Sequence, residues 1–79
     1  MNERRATPRL RAIKGGLIIF GLAPALNCVV RNISDKGAML AANSIGVPDE
    51  FTLVIKPEMV KRGCQVVWRS TDKVGVSFV

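Results

Sequence analysis

The chain has 79 residues, 48% of them hydrophobic, and carries 12 Lys and Arg against 6 Asp and Glu, for a formal charge of +6. That length suits one domain with one small core, and the apolar fraction excludes a chain that stays unfolded throughout. There is no His and no Tyr, and neither a carboxylate cluster, a metal-ligand spacing nor a nucleophile beside a base is present, so an enzyme is the least supported class.

The first segment is basic rather than apolar. Residues 1–14 hold Arg4, Arg5, Arg9, Arg11 and Lys14 against Glu3 alone, so +4 of the total lies there and only +2 in the other 65 residues. Charge concentrated at one end suits an anionic partner: nucleic acid, an anionic membrane or a phosphorylated small molecule. A solvated tail is the plain alternative. We expect residues 1–10 to form a flexible arginine-rich arm and residues 11–79 a single folded domain.

Clusters of Gly, Pro, Asn, Asp and Ser at 21–24, 34–37, 43–49, 56–58 and 70–73 divide the rest into pieces of strand length. The pieces predict six strands, over 11–20, 25–33, 38–42, 50–55, 61–69 and 74–79. The first two fall in the apolar run GGLIIFGLAPALNCVV, residues 15–30, which is too short and too broken by Pro24, Asn27 and three glycines to cross a bilayer as a helix. It reads as two paired strands. Later pieces alternate: Phe51, Leu53 and Ile55; Cys64, Val66 and Trp68; Val74, Val76 and Phe78 each offer one apolar face. A single helical turn fits 57–62.

Six short twisted antiparallel strands around one core predict an all-β chain closed into a small six-stranded β-barrel, because closure removes exposed edges. Cys28 and Cys64 each stand alone in an apolar stretch, without CxxC spacing. They read as buried free thiols, with a disulfide between them left open. The apolar run begins behind five basic residues and shows no small-residue cleavage site, which points to a cytoplasmic protein without membrane insertion.

Two short motifs carry the functional reading. The first is ERRATPR, residues 3–9, with Arg5 and Arg9 four apart and Pro8 between them. The second is NISDKG, residues 32–37, at the end of the second predicted strand. Asn32 and Ser34 are one pleat apart and share a face, and Gly37 is placed to take a positive φ in the turn.

In that order, 22 residues apart, the two motifs resemble the RxxxR and [D/N]xSxxG signature of PilZ domains. The ending VVWRSTDKVGVSFV resembles the last two strands of the same barrel. The resemblance implies a six-stranded β-barrel that binds the bacterial second messenger cyclic di-GMP and has no catalytic activity. It implies that Arg5 and Arg9 grip the ligand, with Arg4 a third contact. An Arg guanidinium meets a phosphate, or the O6/N7 edge of guanine, with two parallel hydrogen bonds, a fork Lys lacks. By the same resemblance Asn32 and Ser34 read guanine from the barrel surface and Gly37 permits close approach. Asp35 and Lys36 are solvated turn residues. Trp68 has two readings: its alternation makes it a core residue, while some PilZ domains stack an aromatic at this strand on guanine. Arg31 and Arg69 flank the region and would add charge.

The function expected is therefore a non-catalytic cyclic di-GMP receptor or adaptor, without cofactor or metal, monomeric or a weak dimer. It would change its surface for a downstream protein. Two alternatives stand beside it: a PilZ-like protein-interaction module with weak or lost ligand binding, and a general nucleic-acid-binding barrel, for which one Trp and three Phe are a poor stacking set.

Overall fold

The computed structural model describes residues 10–79, with side chains from residue 13 onward. Of the expected arm only Leu10 is included, so Arg4, Arg5 and Arg9 lie outside the described residues. Six strands follow one another: β1 Leu10–Ile19, β2 Leu26–Ile33, β3 Gly37–Ala41, β4 Glu50–Ile55, β5 Val60–Arg69 and β6 Lys73–Phe78. Every end falls within one residue of its expected position.

Neighbouring strands are antiparallel and close in the order β1-β2-β3-β6-β5-β4. β1 is long enough to serve two neighbours. Residues 10–18 pair with β2, and residues 16–19 pair with β4 to shut the barrel. The apolar run 15–30 is thus the β1–β2 hairpin, and among the described residues no helix is long and apolar enough to cross a membrane.

The alternation seen in the sequence builds the core. Ile18, Val30, Leu40, Leu53 and Val74 are completely buried, joined by Phe51, Ile55 and Val76. Burial of each large side chain contributes about 1.5–3 kcal/mol relative to leaving it in water. Both cysteines lie in this core as free thiols, which settles the disulfide alternative. Desolvation pushes each thiol up to about 11, against smaller lowering by Lys56 at Cys28 and by Arg62 at Cys64. Neither is a nucleophile at neutral pH.

Three expectations need correction. Cys64, Val66 and Trp68 do not share one inward face: Cys64 is 2% exposed, whereas Trp68 is 46% exposed. The register shifts between Val66 and Trp68, where Val66 pairs with Val76 but Trp68 with Gly75. The extra residue of that β-bulge, Val67, reverses which side the following residues face. Nor does a helical turn form at 57–62. Residues 56–59 make a turn in which Met59 has φ 62°, the left-handed region in which a right-handed helix cannot continue, and β5 begins at Val60. A short 3-10 helix occupies Ser44–Gly46 instead, inside an expected loop, with the Asn43 side chain accepting from the Ile45 amide at 3.1 Å. The third correction concerns Gly37, which is not a positive-φ residue. It is buried as the first residue of β3, and a Cβ there would overlap the carbonyl oxygen of Val76 on β6. Close approach of two backbones, rather than turn geometry, is what requires glycine.

Candidate functional site

The NISDKG segment leaves the barrel wall through a second irregularity. Between Val30 and Asn32 the pairing of β2 with β3 slips, so Val30 pairs with Leu40 and Asn32 with Met39. Val30 is buried and Ile33 packs against the core, three residues apart. That spacing is possible because the bulge at Arg31 inserts one residue, and it leaves Asn32 and Ser34 together on the outer side. A third slip lies in β1, between Arg11 and Lys14, beside the same point of β2.

The 34–37 turn is tied by its own polar groups. The Ser34 amide donates to the Gly37 carbonyl at 2.8 Å, and the Ser34 hydroxyl accepts from the Lys36 amide at 3.2 Å. A longer contact of 3.5 Å runs from that hydroxyl to the Gly37 carbonyl. The Phe78 amide donates to the Lys36 carbonyl at 2.8 Å, fastening the turn to β6. Asp35 and Lys36 are exposed, as expected of a solvated turn. Ser34 therefore shapes the turn that presents Asn32 and Lys36.

These elements border a groove of about 470 Å³ on the outer wall, lined by Asn32, Lys36, Ala38, Met39, Val67, Trp68, Gly75, Val76 and Ser77. An adjoining hollow of about 390 Å³ is lined by Ile13, Arg31, Asn32 and Met39, so the two meet at Asn32 and Met39. Trp68 lies across Gly75 and forms one side of the larger groove. Among the described residues no acidic side chain lines either hollow, and Lys36 and Arg31 supply positive charge. The surface suits a flat anionic ligand, with an amide for hydrogen bonding, a ring for stacking and cations for phosphate.

Four of the seven site residues expected from sequence fall within the described residues. Asn32 and Trp68 line the groove, and Ser34 and Gly37 build the turn at its edge. Arg4, Arg5 and Arg9 lie outside the described residues, but the chain enters the barrel at the site. Leu10 pairs with Ile33, and Arg11 with Asn32.

Arg69 does not serve the groove. Its guanidinium donates to the carbonyls of Ser44 at 2.9 Å and Val47 at 2.8 Å and to Asp49 at 2.9 Å, which fastens the loop before β4. Met39, Gly75 and Ser77 were not singled out from sequence, although their alternation with the inward Leu40, Val74 and Val76 marks them as outward. A larger hollow, about 610 Å³, lies at the Ile19 end of β1 and includes Phe20, Glu50, Phe51, Gln65 and Val79. Among the described residues it includes none of NISDKG, and its charged side chain is the acidic Glu50. Among the described residues no group of three His, Cys, Asp or Glu could hold a metal ion.

Comparison with known proteins identifies the family. Residues 3–79 match the family model of the PilZ domain, both motifs included. No curated protein matches the chain. PilZ domains are non-catalytic receptors for cyclic di-GMP that work through effector partners. With its closed six-stranded barrel and a family match over nearly its whole length, the chain belongs to the PilZ family.

Proposed function

We propose that this protein binds cyclic di-GMP in the groove between the 34–37 turn and Trp68, and that binding changes the surface offered to a downstream protein in the cytoplasm. The observation that carries the reading is the convergence of Asn32, Lys36 and Trp68 on one groove, with β1 entering the barrel opposite Asn32 and Ile33. Arg5 and Arg9, with Arg4 beside them, clamp the phosphates or the guanine edge by paired hydrogen bonds. Asn32 reads the polar edge of one guanine, and Ser34 and Gly37 hold the turn that presents it. Trp68 stacks on a base, an interaction worth about 1–3 kcal/mol.

The proposed output is mechanical. The segment 1–9 folds over the ligand, and the partner recognises the new surface. Limited proteolysis reads this directly: saturating cyclic di-GMP should slow cleavage at Arg5 and Arg9, and equal rates with and without ligand would remove the closing arm from the account.

Isothermal titration of the full chain tests the receptor reading itself, with cyclic di-GMP, GTP and a short single-stranded DNA compared. Micromolar or tighter binding to cyclic di-GMP alone is the expected result. Binding to DNA with a steep salt dependence would turn the reading towards general nucleic-acid binding. No heat from any of the three, with the fold intact, would leave a protein-interaction module.

A further inference from the structure

The groove holds one aromatic ring, and its orientation is set from below. Of the three phenylalanines, Phe51 is buried and Phe20 and Phe78 pack against the core, so Trp68 alone offers an aromatic face to the groove. The bulge at Val67 places Trp68 opposite Gly75. A Cβ built on Gly75 would overlap the indole Nε1 and Cε2 and come within 2.7 Å of Cδ1, so the five-membered ring lies directly over the Gly75 backbone. Gly75 alternates with the inward Val74 and Val76 and thus points outward, yet it is buried, with the indole over it. Trp68 itself remains 46% exposed. One part of the ring is seated on β6 and the rest is open to the groove.

We propose that Gly75 is a positioning residue for ligand recognition: its missing side chain lets the Trp68 indole lie flat against β6 as a preformed platform for one purine of the ligand. This rests on the receptor reading above. Any larger residue at 75 lifts the ring, which then has to be ordered when ligand binds, and the ordering is subtracted from affinity.

The chain contains one Trp, so its fluorescence reports this ring alone. The experiment compares the wild-type chain, Gly75→Ala, Trp68→Ala and the double variant by thermal melting and by titration with cyclic di-GMP. Acrylamide quenching of ligand-free protein is added for the two that keep Trp68. Gly75→Ala should increase quenching, lower the melting temperature and weaken binding by about tenfold, as should loss of the ring itself. In the Trp68→Ala background, Gly75→Ala should change affinity less than twofold and the melting temperature should recover, because the smaller side chain leaves room for the new methyl.

A double variant that loses a further tenfold in affinity, or that fails to fold, would show that Gly75 acts through the barrel and would overturn the proposal. Unaltered quenching in Gly75→Ala would overturn the seat, a result independent of ligand. Full affinity in Gly75→Ala with the ring dislodged would remove the indole from the site. Absence of cyclic di-GMP binding by the wild-type chain would contradict the receptor reading and the ligand role of Gly75 with it, whatever the quenching shows.

Discussion

The barrel has a regular wall and an irregular one. Where β4 pairs with β5 and with β1, the register runs unbroken, and Phe51, Leu53 and Ile55 enter the core at every second position, with Val54 buried as well. The three register shifts, in the β1–β2, β2–β3 and β5–β6 pairs, adjoin the groove and its neighbouring hollow. Each shift changes which side chains face out. The bulge at Arg31 puts Asn32 and Ser34 outside, and the bulge at Val67 brings Trp68 out over Gly75. Regular pairing makes a stable wall, and deviations from it aim side chains into the groove.

Substitutions should separate the two walls. Leu53 is completely buried on the regular side, and Leu53→Ala should cost about 2–5 kcal/mol of stability in urea unfolding, while the folded fraction binds cyclic di-GMP as before. Loss of affinity without loss of stability would break the division. Next in size, Arg9→Ala should weaken ligand binding by about 2 kcal/mol, roughly 30-fold, with an unchanged melting curve. Unaltered affinity would take Arg9 out of the site.

Arg69 sharpens the contrast because it adjoins Trp68 on β5 yet serves the loop. Arg69→Ala removes the donor to the Ser44 and Val47 carbonyls, and with its guanidinium partly exposed the loss should be about 1 kcal/mol of stability, with affinity changed less than twofold. A large effect on binding would mean that the loop and the groove are coupled.

The smallest effect concerns pH. Cys28 and Cys64 are raised from 9.0 to about 11 on burial, so the folded state holds their protons over a range in which the unfolded state releases them. Their contribution is fully present below pH 9 and is lost as pH rises through 11. Replacing both by Ala should flatten that part of the stability profile, and an unchanged slope would take the two thiols out of it.

Most of the fold was legible because six short apolar runs separated by turn residues admit few other structures. β4 was read correctly since its ladder is unbroken. The far half of β5 was misread because a bulge is a backbone event with no residue signature, and one inserted residue moved Trp68 from the inner to the outer face. Gly37 was identified for the wrong reason: the atom that excludes a side chain there is the Val76 carbonyl, 39 positions along the chain and invisible to local spacing. NISDKG was legible as a turn motif at the end of β2, while its place beside the groove and the commitment of the Ser34 hydroxyl to its own turn emerged only with the geometry.

The central claim is that ligand meets the irregular wall, and amide NMR mapping of the labelled chain with and without cyclic di-GMP tests it most directly. The account predicts the largest shifts at Asn32, Lys36, Met39, Gly75 and the single Trp68 indole N–H, with β4 little changed. Shifts centred instead on Phe20, Glu50 and Gln65, around the larger hollow, would contradict it.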